Sequence, residues 1–398
     1  MTDDALRMLA GLFGMARISV PEDVAALLVQ QGAVLGAKNV TVYLVDPEEY
    51  ELVPVPVAGQ SREPLSIEAT LAGRCYRRLE RQEASDGRQV WLPLLDGVER
   101  LGVLHLEFGD SEGRAADETL RHFATLVAEL VTVKDAYGDL FTVVRRRQPM
   151  SLAAEIAWNL MPPQTFGTDR VVISCVLAPA YDVGGDSFDY AVDATTARFA
   201  VFDAMGHGLQ AGWLATVAVA AYRNARRRGL DLLETAVAID EAVADTFAGE
   251  QFVTAVIAEL DLATGRLYWH IAGHPAPLLL RGSRVVKTLE AETGLPLGLG
   301  KPLGEARAAS LEDLEPGDRM ILFTDGVVEA RTARGDFFGL ERLAYLVARH
   351  AAAGYPAPET MRRLMHEILA HQEGGLDDDA TTVLVEWRGG GERKIVPS

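Results

Sequence analysis

Apolar positions along this chain change period several times, and each change marks an element. Val24, Leu27, Leu28, Val34 and Leu35 recur at helical spacing after Pro21, which predicts a helix over 21–35. Val40-Thr-Val-Tyr-Leu-Val45 and Leu52-Val-Pro-Val-Pro-Val57 read as strands, the second pushed towards a sheet edge by its prolines. Ser66 to Leu79 reads as a helix under a serine cap. Val90-Trp-Leu-Pro-Leu94 and Leu101 to Phe108 pair as a hairpin around Asp96-Gly97. Leu120, Phe123, Val127, Leu130, Lys134, Tyr137, Phe141 and Val144 then alternate spacings of three and four, a heptad seam with a polar break at Lys134. Pro149 stops it. Ser151 caps a short helix with Leu152, Ile156 and Leu160 on one face, ended by Pro162-Pro163. From Val171 onwards strands dominate, interrupted by helices over 209–228, 230–247 and 340–352.

This order predicts an α+β chain in parts: residues 1–115, a helical connector over 116–164 with the makings of a coiled coil, residues 165–388, and a disordered tail, 389–398, rich in glycine and charge. There is no internal repeat. The chain has 398 residues, of which 48% are hydrophobic, enough for sizeable cores. Its net charge of −19 excludes a general nucleic-acid binder, which needs Lys and Arg against phosphates, and binding to anionic lipid. No apolar run is long enough to span a bilayer; Trp213 to Tyr222 is the best and ends in Arg223. The acidic N-terminus, Met1-Thr-Asp-Asp, is unlike a signal peptide, and Cys75 and Cys175 fall in different parts, so no structural disulfide is expected. A cytoplasmic protein is expected.

Candidate chemistry lies in carboxylates wrapped in glycine at strand ends. They are Gly184-Gly185-Asp186, Asp203-Ala-Met-Gly206-His207-Gly208, Thr324-Asp325-Gly326 and Asp377-Asp378-Asp379-Ala-Thr381. Taken singly, each reads equally well as a turn or a solvated acidic loop. Brought together they would repel, by about 4 kcal/mol per pair at 4 Å and an effective dielectric of 20. A fold that gathers them must hold cations, and oxygen-only ligands select hard ions such as Mg²⁺ or Mn²⁺.

Residues 165–387 resemble the PPM metal-dependent protein serine/threonine phosphatases, in the SpoIIE/RsbU-like bacterial branch. Besides the four segments above, the resemblance rests on Ala272-Gly273-His274-Pro275, Pro296-Leu297-Gly298, Glu315-Pro-Gly-Asp318, Val327-x-Glu329 and the Asp378-Asp379-x-Thr381 pattern, all in the family's order. It implies a PPM-type αββα sandwich and two Mn²⁺ or Mg²⁺ ions. Asp186 and Asp203, with the backbone carbonyl of Ala204, would hold one ion. Asp203, Asp325 and Asp378 would hold the other, with Asp203 bridging. It implies two-metal hydrolysis without a protein nucleophile, which fits the lack of a convincing Ser-His-Asp or Cys-His arrangement.

The substrate class implied is a phosphoserine or phosphothreonine protein, often an anti-sigma-factor antagonist. The N-terminal part resembles a GAF-like α/β sensor domain by its pattern of helices and strands, with its ligand unknown. A homodimer is expected through Tyr137, Phe141 and Val144. His207 reads evenly as a site residue or a turn filler, His274 as a loop residue bordering the cleft, and Arg170 and Arg331 as candidates for substrate phosphate on position alone. The rival reading is a non-catalytic sensor or binding module that keeps the phosphatase fold; four acidic positions speak against it.

Overall fold

A computed structural model describes residues 19–389 except 58, 60, 110–114, 183, 293, 301–308 and 373–377. Asp377 and the tail beyond Gly389 lie outside the described residues. The chain divides into two units at Gln148/Pro149.

The first unit contains α1 (Pro21–Val34), β1 (Ala37–Val45), β2 (Glu51–Pro54), β3 (Leu65–Ser66), α2 (Leu71–Arg78), β4 (Gln82–Glu83), β5 (Gln89–Asp96), β6 (Glu99–Phe108), α3 (Asp117–Asp135) and α4 (Leu140–Arg145). Its strands form one antiparallel sheet in the order β3-β2-β1-β6-β5-β4. Successive side chains on a strand point to opposite faces, and the two faces have different partners. Val40, Val42, Leu44, Val90, Leu92, Leu104 and Leu106 pack with α1 and α3. Tyr43, Trp91 and Val103 pack with Cys75 and Tyr76 of α2.

The seam expected to form a connector is divided and turned inward. Leu120, Phe123, Val127 and Leu130 of α3 are buried on the first sheet face, and Lys134, the polar break, donates from Nζ to the carbonyl of Ser19 at 2.5 Å. The helix ends at Asp135, and Phe141 of α4 enters the same core. One helix cannot cover so broad an apolar face, so the next helix in the chain completes it. Tyr137 is left exposed. The helix expected from Ser66 starts only at Leu71, because Ser66 pairs in β3 and Thr70 takes the cap, accepting from Gly73 N at 3.0 Å.

The second unit contains α5 (Leu152–Leu160), β7 (Thr165–Gly167), β8 (Val171–Ala178), β9 (Asp186–Val192), β10 (Thr196–Ala204), α6 (Gly208–Arg227), α7 (Leu232–Phe247), β11 (Val253–Asp261), β12 (Arg266–Ala272), β13 (Leu278–Arg281), β14 (Arg284–Thr288), β15 (Ser310–Asp313), β16 (Arg319–Phe323), α8 (Asp325–Val328), α9 (Leu340–Ala352), α10 (Ala357–His371) and β17 (Ala380–Trp387). Two antiparallel sheets result, β15-β12-β11-β10-β9 and β14-β13-β16-β17-β8-β7. Phe199 and Val201 of β10 join Ile173, Cys175, Met320, Leu322 and Val383 in a core between the sheets. Ala200 and Phe202, on the other face of β10, pack under Leu214, Ile239 and Val243 of α6 and α7. Ile321 and Leu384 pack under Leu343, Met361 and Leu364 of α9 and α10. Helices, sheet, sheet and helices therefore stack as an αββα sandwich.

Two readings are corrected here. Helix α5 forms under its Ser151 cap, but it buries Ala153, Ala154 and Ala157, while Leu152 is 63% exposed. Its neighbour α6 offers Gly212 next to Ala153, so the two helices approach through small residues; Leu152 is left outside, while Leu160 packs half-buried against the core under α6 and α7. Helix α10 is unforeseen, because Glu359 and Arg362 interrupt its apolar stripe; both are buried and joined by two hydrogen bonds of 2.9 Å. No helix among the described residues is long and apolar enough to cross a membrane.

Candidate active site

The sheets bring their acidic ends together at one edge. In the β9–β10 ladder Asp186 stands directly opposite Asp203. In the other sheet β16 runs out at Phe323, and Thr324 is stitched to Thr381 twice: its N donates to the Thr381 carbonyl (3.0 Å), and its Oγ1 accepts from Thr381 N (2.9 Å). That pairing sets Asp325 beside Asp378 and Asp379. The same Thr324 hydroxyl donates to Asp186 Oδ2 at 2.7 Å, a direct link between the sheets.

Asp379 holds the Gly184-Gly185-Asp186 turn from the opposite sheet. Its Oδ2 accepts from the backbone N of Gly184 (2.7 Å), Gly185 (2.6 Å) and Asp186 (3.1 Å). Glycine is required around this clamp for space. A methyl group at Gly326 would run into the carbonyl oxygen of Asp379, and one at Gly185 into that of Ala204.

Electrostatically the cluster is under pressure. Burial holds Asp186 well above the ordinary carboxylate range, and Asp203 and Asp379 add to it. Asp203 is pushed up to about 7 by burial, then by the charges of Asp325 and Asp378. Burial also raises Asp378, with Asp325 adding to the rise and the exposed His207 opposing it. Asp379 is raised by burial against the pull of its three amide donors.

Acids from four separate segments therefore meet around Asp203, which is in electrostatic reach of Asp186, Asp325 and Asp378, with the Ala204 carbonyl at the end of β10. Among the described residues, no group of three or more His, Cys, Asp or Glu side chains forms a ready metal cage. The donor chemistry still fits hard divalent cations: every candidate donor is oxygen, and a cation would relieve the repulsion that raises these carboxyls.

Other predicted residues fall elsewhere. His274 is buried, with Nδ1 2.7 Å from Thr254 Oγ1 and Nε2 3.0 Å from the Phe323 carbonyl, and burial lowers its pKa to about 4. Arg170 lies just before β8, whereas Ala178 at the far end of that strand pairs with Ala380 next to the acids, so it is removed from the site. Arg331 lies over the Phe337 ring at 4.5 Å. Thr254, Thr324 and the clamping role of Asp379 were not singled out by sequence; only the Thr-Asp-Gly and Asp-Asp-x-Thr patterns pointed towards the last two.

The second unit is similar to known proteins. Residues 193–388 match the family described as Stage II sporulation protein E (SpoIIE). The chain is 23% identical to phosphoserine phosphatase RsbU of Bacillus subtilis over 60% of its own length and 70% of that protein. It is 26% identical to phosphoserine phosphatase RsbP of the same organism over 46% of each, so it spans less than half of that relative. Among solved structures, the SiaA-PP2C domain of Pseudomonas aeruginosa is 21% identical over 59% of this chain and 94% of that one, with a TM-score of 0.49. Over residues 193–388 the second unit carries a SpoIIE-type phosphatase domain.

Proposed function

We propose that this chain is a protein serine/threonine phosphatase that works with two Mn²⁺ or Mg²⁺ ions on a phosphorylated signalling protein in the cytoplasm. The observation that carries the reading is the convergence of Asp186, Asp203, Asp325 and Asp378 at one edge of the two sheets. Asp203, with acidic neighbours from both sheets, would be shared between the two ions. Asp186 and the Ala204 carbonyl would hold one of them, and Asp325 and Asp378 the other. When bound, the ions supply an activated water and neutralise phosphoryl oxygens. Thr324 orients Asp186, and Asp379 fixes the turn that presents it.

RsbU and RsbP, named phosphoserine phosphatases, support a phosphoserine protein as substrate, and an anti-sigma-factor antagonist is the specific candidate. The first unit is the GAF-like sensor. In it Trp91 lies flat on the buried His105, ring centres 3.7 Å apart, and His105 Nδ1 is 3.8 Å from Glu107 Oε1. Of the residues expected to join a homodimer, Phe141 is buried in the first unit, and Tyr137 stays exposed for that contact.

A non-catalytic module would gain nothing from keeping buried carboxylates in mutual repulsion. The test is phosphate release from p-nitrophenyl phosphate and from a phosphoserine-bearing antagonist, with Mn²⁺ and with EDTA. Hydrolysis of both substrates only with metal is expected. Hydrolysis that survives EDTA overturns the reading.

A further inference from the structure

His274 sits where the two sheets of the second unit meet, and it makes one contact with each. Its Nε2 is 3.0 Å from the carbonyl oxygen of Phe323, two residues before Asp325. Its Nδ1 is 2.7 Å from the hydroxyl of Thr254. Thr254 stands directly opposite Asp203 in the β10–β11 ladder. A carbonyl oxygen only accepts, so Nε2 must carry the ring proton; Nδ1 of a neutral imidazole then only accepts. The Thr254 hydroxyl has a single proton, and at 2.7 Å from an Nδ1 that can only accept, that proton goes to the ring.

We propose that His274 is a positioning residue that draws the Thr254 proton away from Asp203. Thr254 then has no proton to offer the neighbouring carboxylate, which is left for a cation. The same ring holds the β11 end, beside Asp203, to the β16 end, beside Asp325. In the opposite tautomer the Nε2 lone pair would face the Phe323 carbonyl, and Thr254 would donate to Asp203 in competition with metal. The inference rests on the metal-site reading above.

The test uses the full chain with ¹⁵N-labelled histidine after EDTA treatment, the His274 signals being identified by their loss in His274→Gln. The expected spectrum is a neutral ring protonated on Nε2; a ring protonated on Nδ1, or on both nitrogens at neutral pH, overturns the proposal. Mn²⁺ affinity by titration calorimetry supplies the second reading. Asparagine at this position offers an amide oxygen near the place of Nδ1, whereas glutamine offers an amide nitrogen near that of Nε2. His274→Asn should stay within about threefold of wild type, while His274→Gln should weaken binding about 10-fold or more, as for other partners of metal ligands. Equal losses, or none, make His274 a packing residue. Wild-type protein that binds no Mn²⁺ overturns both readings; wild type that binds while both variants match it overturns this one alone.

Discussion

Asp203 carries a heavy electrostatic load in the site, and that load has a sign. A carboxyl whose folded pKa lies above its unfolded value binds its proton more tightly when folded. It therefore stabilises the fold below the unfolded pKa, about 4, and loses that contribution as pH rises through the folded value. For Asp203 the folded value is about 7, with Asp186, Asp378 and Asp379 raised in the same direction. EDTA-treated protein should thus lose melting temperature between about pH 4 and 7, and saturating Mn²⁺ should remove most of that slope. Asp203→Asn should flatten the slope without metal, abolish the Mn²⁺ shift and lose activity by orders of magnitude. A pH slope identical in wild type and Asp203→Asn would show that Asp203 is not the pressured group. Asp379 behaves differently, because it satisfies buried amides. Asp379→Ala should destabilise EDTA-treated protein by about 2–4 kcal/mol in urea unfolding, and Asp379→Asn, which keeps one acceptor oxygen, by less.

At the scale of elements, α5, α6 and β9 are tied together by charge as well as by close packing. Arg223 and Arg226 of α6 reach the buried Asp189 of β9 at 2.7 and 2.9 Å, and Arg223 also donates to the Leu160 carbonyl at the end of α5. Asp189 lies three residues past Asp186, so this knot holds the strand that presents a candidate ligand. Asp189→Ala strands two arginines and should cost about 3–5 kcal/mol. The sequence showed α5 and its serine cap but assigned the wrong face, because Leu152, Ile156 and Leu160 make an obvious stripe while close approach between helices favours alanine and glycine. Ala157→Leu should destabilise the unit by about 1–3 kcal/mol and lower aryl-phosphate turnover, through overpacking of the core between the sheets. Ile156→Asp, at a half-buried position, should do less on both counts. The reverse ranking in melting temperature and turnover would restore the leucine stripe as the packed face.

Across the molecule, the site was more legible than the contacts that hold it. Glycine-wrapped acids ending apolar strands can be read from local sequence, whereas the clamp from Asp379 to Gly184 spans 195 residues and leaves no periodic trace. The α3 seam was legible as a stripe, but its partner was not, since a heptad pattern fits a sheet face as well as a second helix. That burial bears on cooperativity. Phe123, Val127 and Phe141 complete the core of the first unit, whereas the three cores of the second draw only on residues after Gln148. Units with separate cores unfold separately unless coupled, and a ligand raises the melting temperature only of the unit that binds it. Calorimetry of the full chain should therefore show two transitions. Mn²⁺ should move one of them, and Asp203→Asn should hold that one still. Phe123→Ala, a large core truncation costing about 3–5 kcal/mol, should lower the other and leave the metal-sensitive transition in place. A single transition displaced by both Mn²⁺ and Phe123→Ala would mean that the two cores melt as one.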